Sequence, residues 1–390
     1  MKRDVRILMV MLSFLTACDE IVETHLESGY PIYLRASMGE SPMTRGPYVP
    51  EDNNGVMLET PAPLYPLQTD VWGSTEKYVF KEEFEAGTEK PYDGSGTDGK
   101  VAIHTDAVFK SGAPQLLRSA IYNETSKPDV YFVAFAPMSG TDDIRWISND
   151  DGTYATCQFT GNDDLMFAPQ VAGTYAQDIS KSPVLHFRHL LTWVRVEIKA
   201  ETEAVSNSWG KIKSMKIISC DKVGLELTAA AYDEDEDYIF SSVVYSNPTM
   251  LSFYQTSEEE IYVGSTMHMK NVYTDNTYPV KEELISYKSA KEVAYVLCSP
   301  VNATATAVVD GQDVASAEYH IEIVTEKRKV TVPVDLRKDD EEPLLGSTRG
   351  KQFTVLLNFK MGNTVYVATS VSDWQSGGIV SEDFGDNDIG

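Results

Sequence analysis

Basic residues are scarce in this chain of 390 residues: 33 Lys and Arg stand against 59 Asp and Glu, a formal charge of −26. A nucleic-acid backbone demands clustered cations and would be repelled here, so no nucleic-acid partner is expected. Cysteine is equally sparse. Beyond Cys18 there are only Cys157, Cys220 and Cys298, which cannot all pair. Each lies in a strand-like context (Tyr-Ala-Thr-Cys-Gln-Phe, Ile-Ile-Ser-Cys, Tyr-Val-Leu-Cys), pointing to buried free thiols rather than a disulfide framework or a metal site. Catalytic signatures are missing too: there is no Gly-x-Ser-x-Gly elbow, no His-Glu-x-x-His and no phosphate-cradling glycine loop, and no enzyme or cofactor is expected. After residue 18 no stretch approaches the roughly 18 consecutive apolar residues that cross a bilayer as a helix. Helical periodicity is confined to two short candidates, Gln115 to Ile121 and Lys281 to Ile285.

What is present begins with the first residues. Lys2, Arg3 and Arg6 precede an apolar run from Ile7 to Leu15 that closes on Leu15-Thr16-Ala17-Cys18. The run is too short for a permanent span, and its basic start and small residues before a cysteine are those of a lipoprotein signal. Residues 1–17 are expected to be removed, leaving Cys18 to carry acyl chains in a membrane leaflet. Further on, Tyr30, Ile32, Leu34 and Ala36 alternate with Pro31, Tyr33 and Arg35, making a strand with one apolar face that needs a sheet to cover it. A Gly, Ser, Pro and Met stretch from Ser37 to Pro50 follows and carries Thr44-Arg45-Gly46. An arginine in an exposed loop is where a trypsin-like protease cuts most readily. An ordinary first strand and loop is the plainer alternative.

The remainder is β throughout. Alternating or β-branched runs recur at Val101 to Ile103, Val130 to Ala136, Val194 to Lys199, Lys213 to Ile218, Leu225 to Ala229, Val293 to Cys298, His320 to Thr325, Lys329 to Val334, Phe353 to Phe359 and Val365 to Val371. This spacing with turn residues between predicts an all-β fold of sandwich or barrel type. A turn-rich break near Gln177 to Pro183 suggests a domain boundary, dividing the chain into 46–182 and 183–390. Two lesser constellations read as structural. His186 and His189 sit three apart on a strand and so face opposite sides, which is unsuited to a shared metal. Asp233, Asp235 and Asp237 lack the glycine and terminal glutamate of a calcium loop and suit a solvated hairpin tip.

The string Ser182-Pro183-Val184-Leu185-His186-Phe187-Arg188-His189-Leu190-Leu191-Thr192-Trp193-Val194-Arg195-Val196 resembles the central signature of the Bacteroidales fimbrillins, the type V pilins, in which Phe-x-His-x-Leu enters an alternating strand. Tyr131-Phe132-Val133-Ala134-Phe135-Ala136-Pro137, Asp163-Asp164-Leu165-Met166-Phe167-Ala168 and Val371-Ser372-Asp373-Trp374 are similar to further motifs of that family in the same order. The start of the chain resembles Bacteroidetes lipoproteins in which acidic residues after the cysteine, here Asp19 and Glu20, accompany export to the cell surface.

The resemblance implies two tandem transthyretin-like β-sandwich domains, no enzymatic activity, and a lipid-anchored outer-membrane precursor. It also implies that 18–45 forms a propeptide: an arginine-specific protease cuts at Arg45, leaving Gly46 as the new start, with Arg35 and Ala36 as the second candidate bond. The strand of Ile32 and Leu34 would then leave, and a strand of a neighbouring fimbrial subunit would fill the groove by β-augmentation. The residues after Trp374, rich in Gly and Asp, are poor strand formers and leave stem, tip and anchor roles open. For a tip, Trp146 and its acidic loop are the candidate contact for a host protein or glycan. The alternative from another class is a surface glycan-binding lipoprotein of a polysaccharide uptake system, which would present exposed aromatics such as Trp72, Trp146 and Trp209.

Overall fold

A computed structural model describes residues 29–38, 49–51, 54–58, 67–80, 102–109, 115–123, 129–139, 144–173, 182–255, 260–263, 266–270, 285, 288–300, 306–309, 312–315, 319–334, 348–362 and 364–373. The first third holds β1 (Gly29–Met38), β2 (Val49–Glu51), β3 (Asn54–Leu58), β4 (Leu67–Ser74), β5 (Ala102–Phe109), β6 (Gln115–Asn123) and β7 (Val130–Ala136). In the middle lie β8 (Ile147–Ser148), β9 (Tyr154–Gln158), β10 (Met166–Gly173), β11 (Val184–His189), β12 (Thr192–Ala200), helix α1 (Glu203–Trp209), β13 (Ile212–Glu226), β14 (Val243–Ser252), β15 (Tyr254–Gln255), β16 (Glu260–Val263) and β17 (Thr266–Lys270). The chain continues through β18 (Lys291–Cys298), β19 (Thr306–Val309), β20 (Gln312–Ala315), β21 (Tyr319–Thr325), β22 (Lys329–Val334), β23 (Lys351–Phe359) and β24 (Val365–Asp373). The protein is all-β, as its period-two runs predict.

Three large sheets carry the architecture. One has seven strands in the order β5-β4-β7-β10-β11-β1-β6, and its end strands β5 and β6 approach each other so that the sheet curls. The inner face buries Ile32, Leu34, Val71, Phe109, Phe132, Leu185 and Phe187 in a core of its own. A five-stranded sheet, β15-β18-β12-β23-β24, and a six-stranded one, β22-β21-β13-β9-β8 with β14 alongside β13, share a second and larger core. β12 shows the expected alternation, with Val194, Val196 and Ile198 inward and Arg195 and Glu197 only half-buried. Helix α1 packs at this sandwich's end: Thr202 caps it by accepting from the Val205 amide (3.2 Å), and Trp209 donates from Nε1 to the Lys360 carbonyl (2.9 Å).

The two cores meet across β7. Its apolar sequence is almost unbroken because both of its faces are covered. Phe132, Ala134 and Ala136 enter the smaller core, whereas Val133 and Phe135 enter the larger one. Aromatic rings continue from there: Trp72 lies 4.5 Å from Phe135, Phe135 4.7 Å from Trp146 and 5.3 Å from Phe167, and Phe167 5.1 Å from Tyr238. Strands on either side of residue 182 also share sheets. β9 pairs with β13, and β11 completes the seven-stranded sheet.

Two local expectations differ from the structure, and a third falls mostly outside the described residues. Gln115–Ile121 belongs to β6, not a helix, because its backbone pairs with β1 and tertiary pairing overrides local spacing. Leu225 to Ala229 is not a strand of its own: β13 runs unbroken to Glu226, and residues 229–231 form one 3-10 turn. Most of Lys281 to Ile285 lies outside the described residues, among which Ile285 is buried.

Candidate functional site

β1 occupies the interior of the seven-stranded sheet. Its first half runs antiparallel to β6, with Gly29 opposite Asn123 and Tyr33 opposite Leu116, and its second half runs parallel to β11, with Arg35 opposite Val184 and Met38 opposite Phe187. The alternation seen in the sequence becomes burial: Ile32 and Leu34 are wholly enclosed and Ala36 is 5% exposed, while Tyr33 and Arg35 are half-buried. Full burial of an Ile or Leu side chain stabilises by about 1.5–3 kcal/mol each, so this strand contributes several kcal/mol before its ladder is counted.

Arg35 ties β1 to the start of β11. Its amide donates to the Pro183 carbonyl (2.9 Å), and its guanidinium donates from Nε (3.2 Å) and Nη2 (3.0 Å) to the Ser182 carbonyl. A protease needs an extended, unpaired segment across its cleft, so the Arg35–Ala36 bond is held in a form that resists cutting while the sheet is intact. Cys18, Arg45 and Gly46 lie outside the described residues, as do Trp374 and the tail behind it. The walls of the β1 groove were only half foreseeable. The signature string contains β11, but β6 has a helical spacing and shows its role only through pairing.

Trp146 does not form a contact surface. It is fully buried, packed 4.7 Å from Phe135, and its amide donates to Ser139 Oγ (3.1 Å). Its polar sequence neighbours suggest exposure, but the ring belongs to the aromatic layer of the larger core. Trp72 and Trp209 are likewise fully buried, so none of the three tryptophans offers a platform to a sugar.

The histidines and the acidic run behave as structural elements. His186 is exposed and His189 buried on opposite faces of β11, and His189 Nδ1 lies 2.8 Å from Asp164 Oδ1. Asp233 organises its hairpin tip by accepting from the amides of Asp235 (3.1 Å) and Asp237 (2.8 Å). The three cysteines Cys157, Cys220 and Cys298 are free. Burial pushes the Cys298 thiol up to about 12.

No family profile and no curated protein matches the chain. Among solved structures it is similar to a fimbrial protein from Bacteroides vulgatus (15% identity, 88% of this chain and 99% of that one, TM-score 0.38). It is also similar to the fimbrial anchor protein Mfa2 from Porphyromonas gingivalis (9% identity, 88% and 98%, TM-score 0.33). A third likeness is to a Bacteroides uniformis structure described provisionally as a cell adhesion protein (14% identity, 88% and 99%, TM-score 0.39). At these identities and TM-scores they state what the chain is similar to and decide nothing about its function.

Proposed function

We propose that the chain is a structural or adhesive subunit of a cell-surface fimbria, exported as a lipoprotein through Cys18 and assembled by strand exchange once β1 is released. The observation that supports this reading is the place of β1. It fills the sheet between β6 and β11 without a hairpin to either, and the segment that joins it to the following strands contains Arg45. One cut after Arg45 would free the whole strand together with its lipid. A cut after Arg35 would have to reach a bond that is paired to β11 and would leave Ala36 to Met38 behind in the sheet. Arg45 is therefore the favoured bond, and Gly46 the mature start of the unit 46–182 that precedes 183–390.

Loss of β1 would strip the backbone partners from one side of both β6 and β11 and open the trough that Ile32, Leu34 and Ala36 fill. Unpaired ladder groups and exposed apolar surface favour capture of another extended strand with matching alternation. The partner is thus a strand of a second fimbrial subunit, and the processing enzyme an arginine-specific protease. The resemblance of 182–196 to the fimbrillin signature points the same way.

N-terminal sequencing of protein sheared from native cells tests this reading. A start at Gly46 is the expected result, and a start at Ala36 would move the cut to the second bond. A blocked, diacylated Cys18 on all the sheared material would overturn the cleaved-subunit reading and return the chain to a permanently anchored lipoprotein.

A further inference from the structure

The β4–β5 pair carries a cluster unrelated to β1 and its groove. Antiparallel pairing sets Asp70 opposite Asp106 and Trp72 opposite His104. Residues two apart on a strand share a face, so Asp70, His104 and Asp106 converge on one side of the pair. One ligand atom from each lies within 4.8 Å of the others, and Asp70 Oδ1 is 3.6 Å from His104 Nε2. Asp70 does not mark a site in the sequence, because the other two members of the cluster, His104 and Asp106, are more than 30 residues away and only the register brings them in.

Asp70 is the informative member. It is 1% exposed, and its two oxygens are treated differently. Oδ2 accepts from the Ser139 amide (3.0 Å) and from the Ser139 hydroxyl. Oδ1 is equally buried yet accepts no hydrogen bond. A buried carboxylate oxygen without a donor costs free energy, and such an oxygen asks for a proton, a water or a cation. Asp106, on the open side, adds a second carboxyl. A positive charge between the two carboxylates would give Asp70 Oδ1 the partner it lacks.

We propose that Asp70 Oδ1, His104 Nε2 and a carboxylate oxygen of Asp106 bind one divalent transition cation of the zinc class, with water completing its coordination. Zinc takes imidazole nitrogen and carboxylate oxygen at about 2.0–2.2 Å in tetrahedral array, which places ligand atoms roughly 3.3–3.6 Å apart. The Asp70–His104 separation already has that value. Asp106 is exposed and can rotate to close the remainder, whereas Asp70 is fixed by Ser139 as a second-layer partner would fix it. An imidazole among so few oxygens is unsuited to calcium or magnesium, which prefer all-oxygen surroundings. The ion would cross-link β4 to β5 beside Trp72, whose ring meets the His104 ring edge-on at 6.0 Å.

Titration of the full chain in detergent with zinc chloride by calorimetry tests the site, alongside His104→Ala and Asp106→Asn. These positions are chosen over Asp70, whose loss would also free Ser139; thermal melts without zinc establish that both variants fold. The wild type should show one saturable site, and each variant a loss of affinity of at least about tenfold. Cobalt should give a visible absorption band with the wild type that both variants lack. A wild-type isotherm without a one-to-one component overturns the proposal. So do identical isotherms for wild type and variants, which would assign the heat to scattered carboxylates and leave the triad as a metal-free ion pair. Loss in only one variant overturns the three-ligand assignment.

Discussion

The two cores of this protein are built from different materials. The smaller core, which β1 completes, is lined by Ala36, Ala107, Ala134, Ala136 and Ala168 among Ile, Leu, Val, Met and Phe, and among the described residues contains no tryptophan or tyrosine. The larger core has Trp72, Trp146, Trp193 and Trp209 with Tyr232, Tyr238 and Tyr295, and its rings interlock through successive contacts of about 5 Å. Aliphatic side chains in a trough of alanines fit any strand with the same alternation, because volume and period suffice. Interlocked rings fit one arrangement only. Under the proposed strand exchange the smaller core would be the one that exchanges and the larger the permanent one, and substitutions that separate the two would sharpen or break the contrast.

The largest effect belongs to the ring layer. Phe135→Ala removes a ring that touches Trp72, Trp146 and Phe167, and should cost about 3–5 kcal/mol in urea denaturation. The loss should be equal in the full chain and in protein made to start at Gly46. Leu34→Ala should behave differently. It should cost about 2–5 kcal/mol in the full chain, where Leu34 is fully buried, while protein made to start at Gly46, which lacks Leu34, should keep its sensitivity to Phe135→Ala. Disappearance of the Phe135→Ala loss once residues 1–45 are removed would end the distinction between the cores.

A smaller effect is expected at the β9–β13 pairing. Gly224 lies beneath the Tyr154 ring, and a Cβ built there would sit 1.8 Å from Tyr154 Oη and 2.5 Å from Cζ. The half-buried Tyr154 can turn outward at the expense of its packing. Gly224→Ala should therefore destabilise by roughly 1–3 kcal/mol, and pairing it with Tyr154→Ala should recover part of that loss in a double-mutant cycle.

Much of this was legible before any coordinates. The alternation in β1 announced a strand with one face to bury, and the runs in β7, β12, β18, β21, β22, β23 and β24 announced the sheets, because period two survives any arrangement of neighbours. What stayed hidden depends on pairing across long separations. β6 places Leu116, Leu117, Ala120 and Ile121 at helical spacing, and only its ladder with β1 makes it a strand. Trp146 sits among Asp, Asn and Ser, a loop composition that conceals a ring held between Phe135 and the second core. Asp70 looks unremarkable until the register of β4 and β5 supplies its neighbours.

The smallest predicted effect separates rings from charges where the segment after β4 meets the acidic hairpin tip at the margin of the larger core. Lys77, on the segment after β4, pairs with Glu236 at the acidic hairpin tip and lies 4.9 Å above the Tyr78 ring. Tyr78 in turn meets Tyr232 at 4.9 Å, so ion pair and rings bridge the same gap. The hydrogen bond to Glu236, first among its causes, holds the Lys77 ammonium up to about 12. Because the folded value is raised, whatever the pair contributes is complete below the ordinary lysine range near 10.5 and fades only as pH rises toward 12. Glu236 is 64% exposed and Lys77 34%, so water and salt screen them. Glu236→Gln should lower stability by less than about 1 kcal/mol, with a deficit that is flat between about pH 6 and 9 and shrinks further in added salt. A loss comparable to that of Phe135→Ala would show that charge, not the Tyr78–Tyr232 rings, holds this contact together.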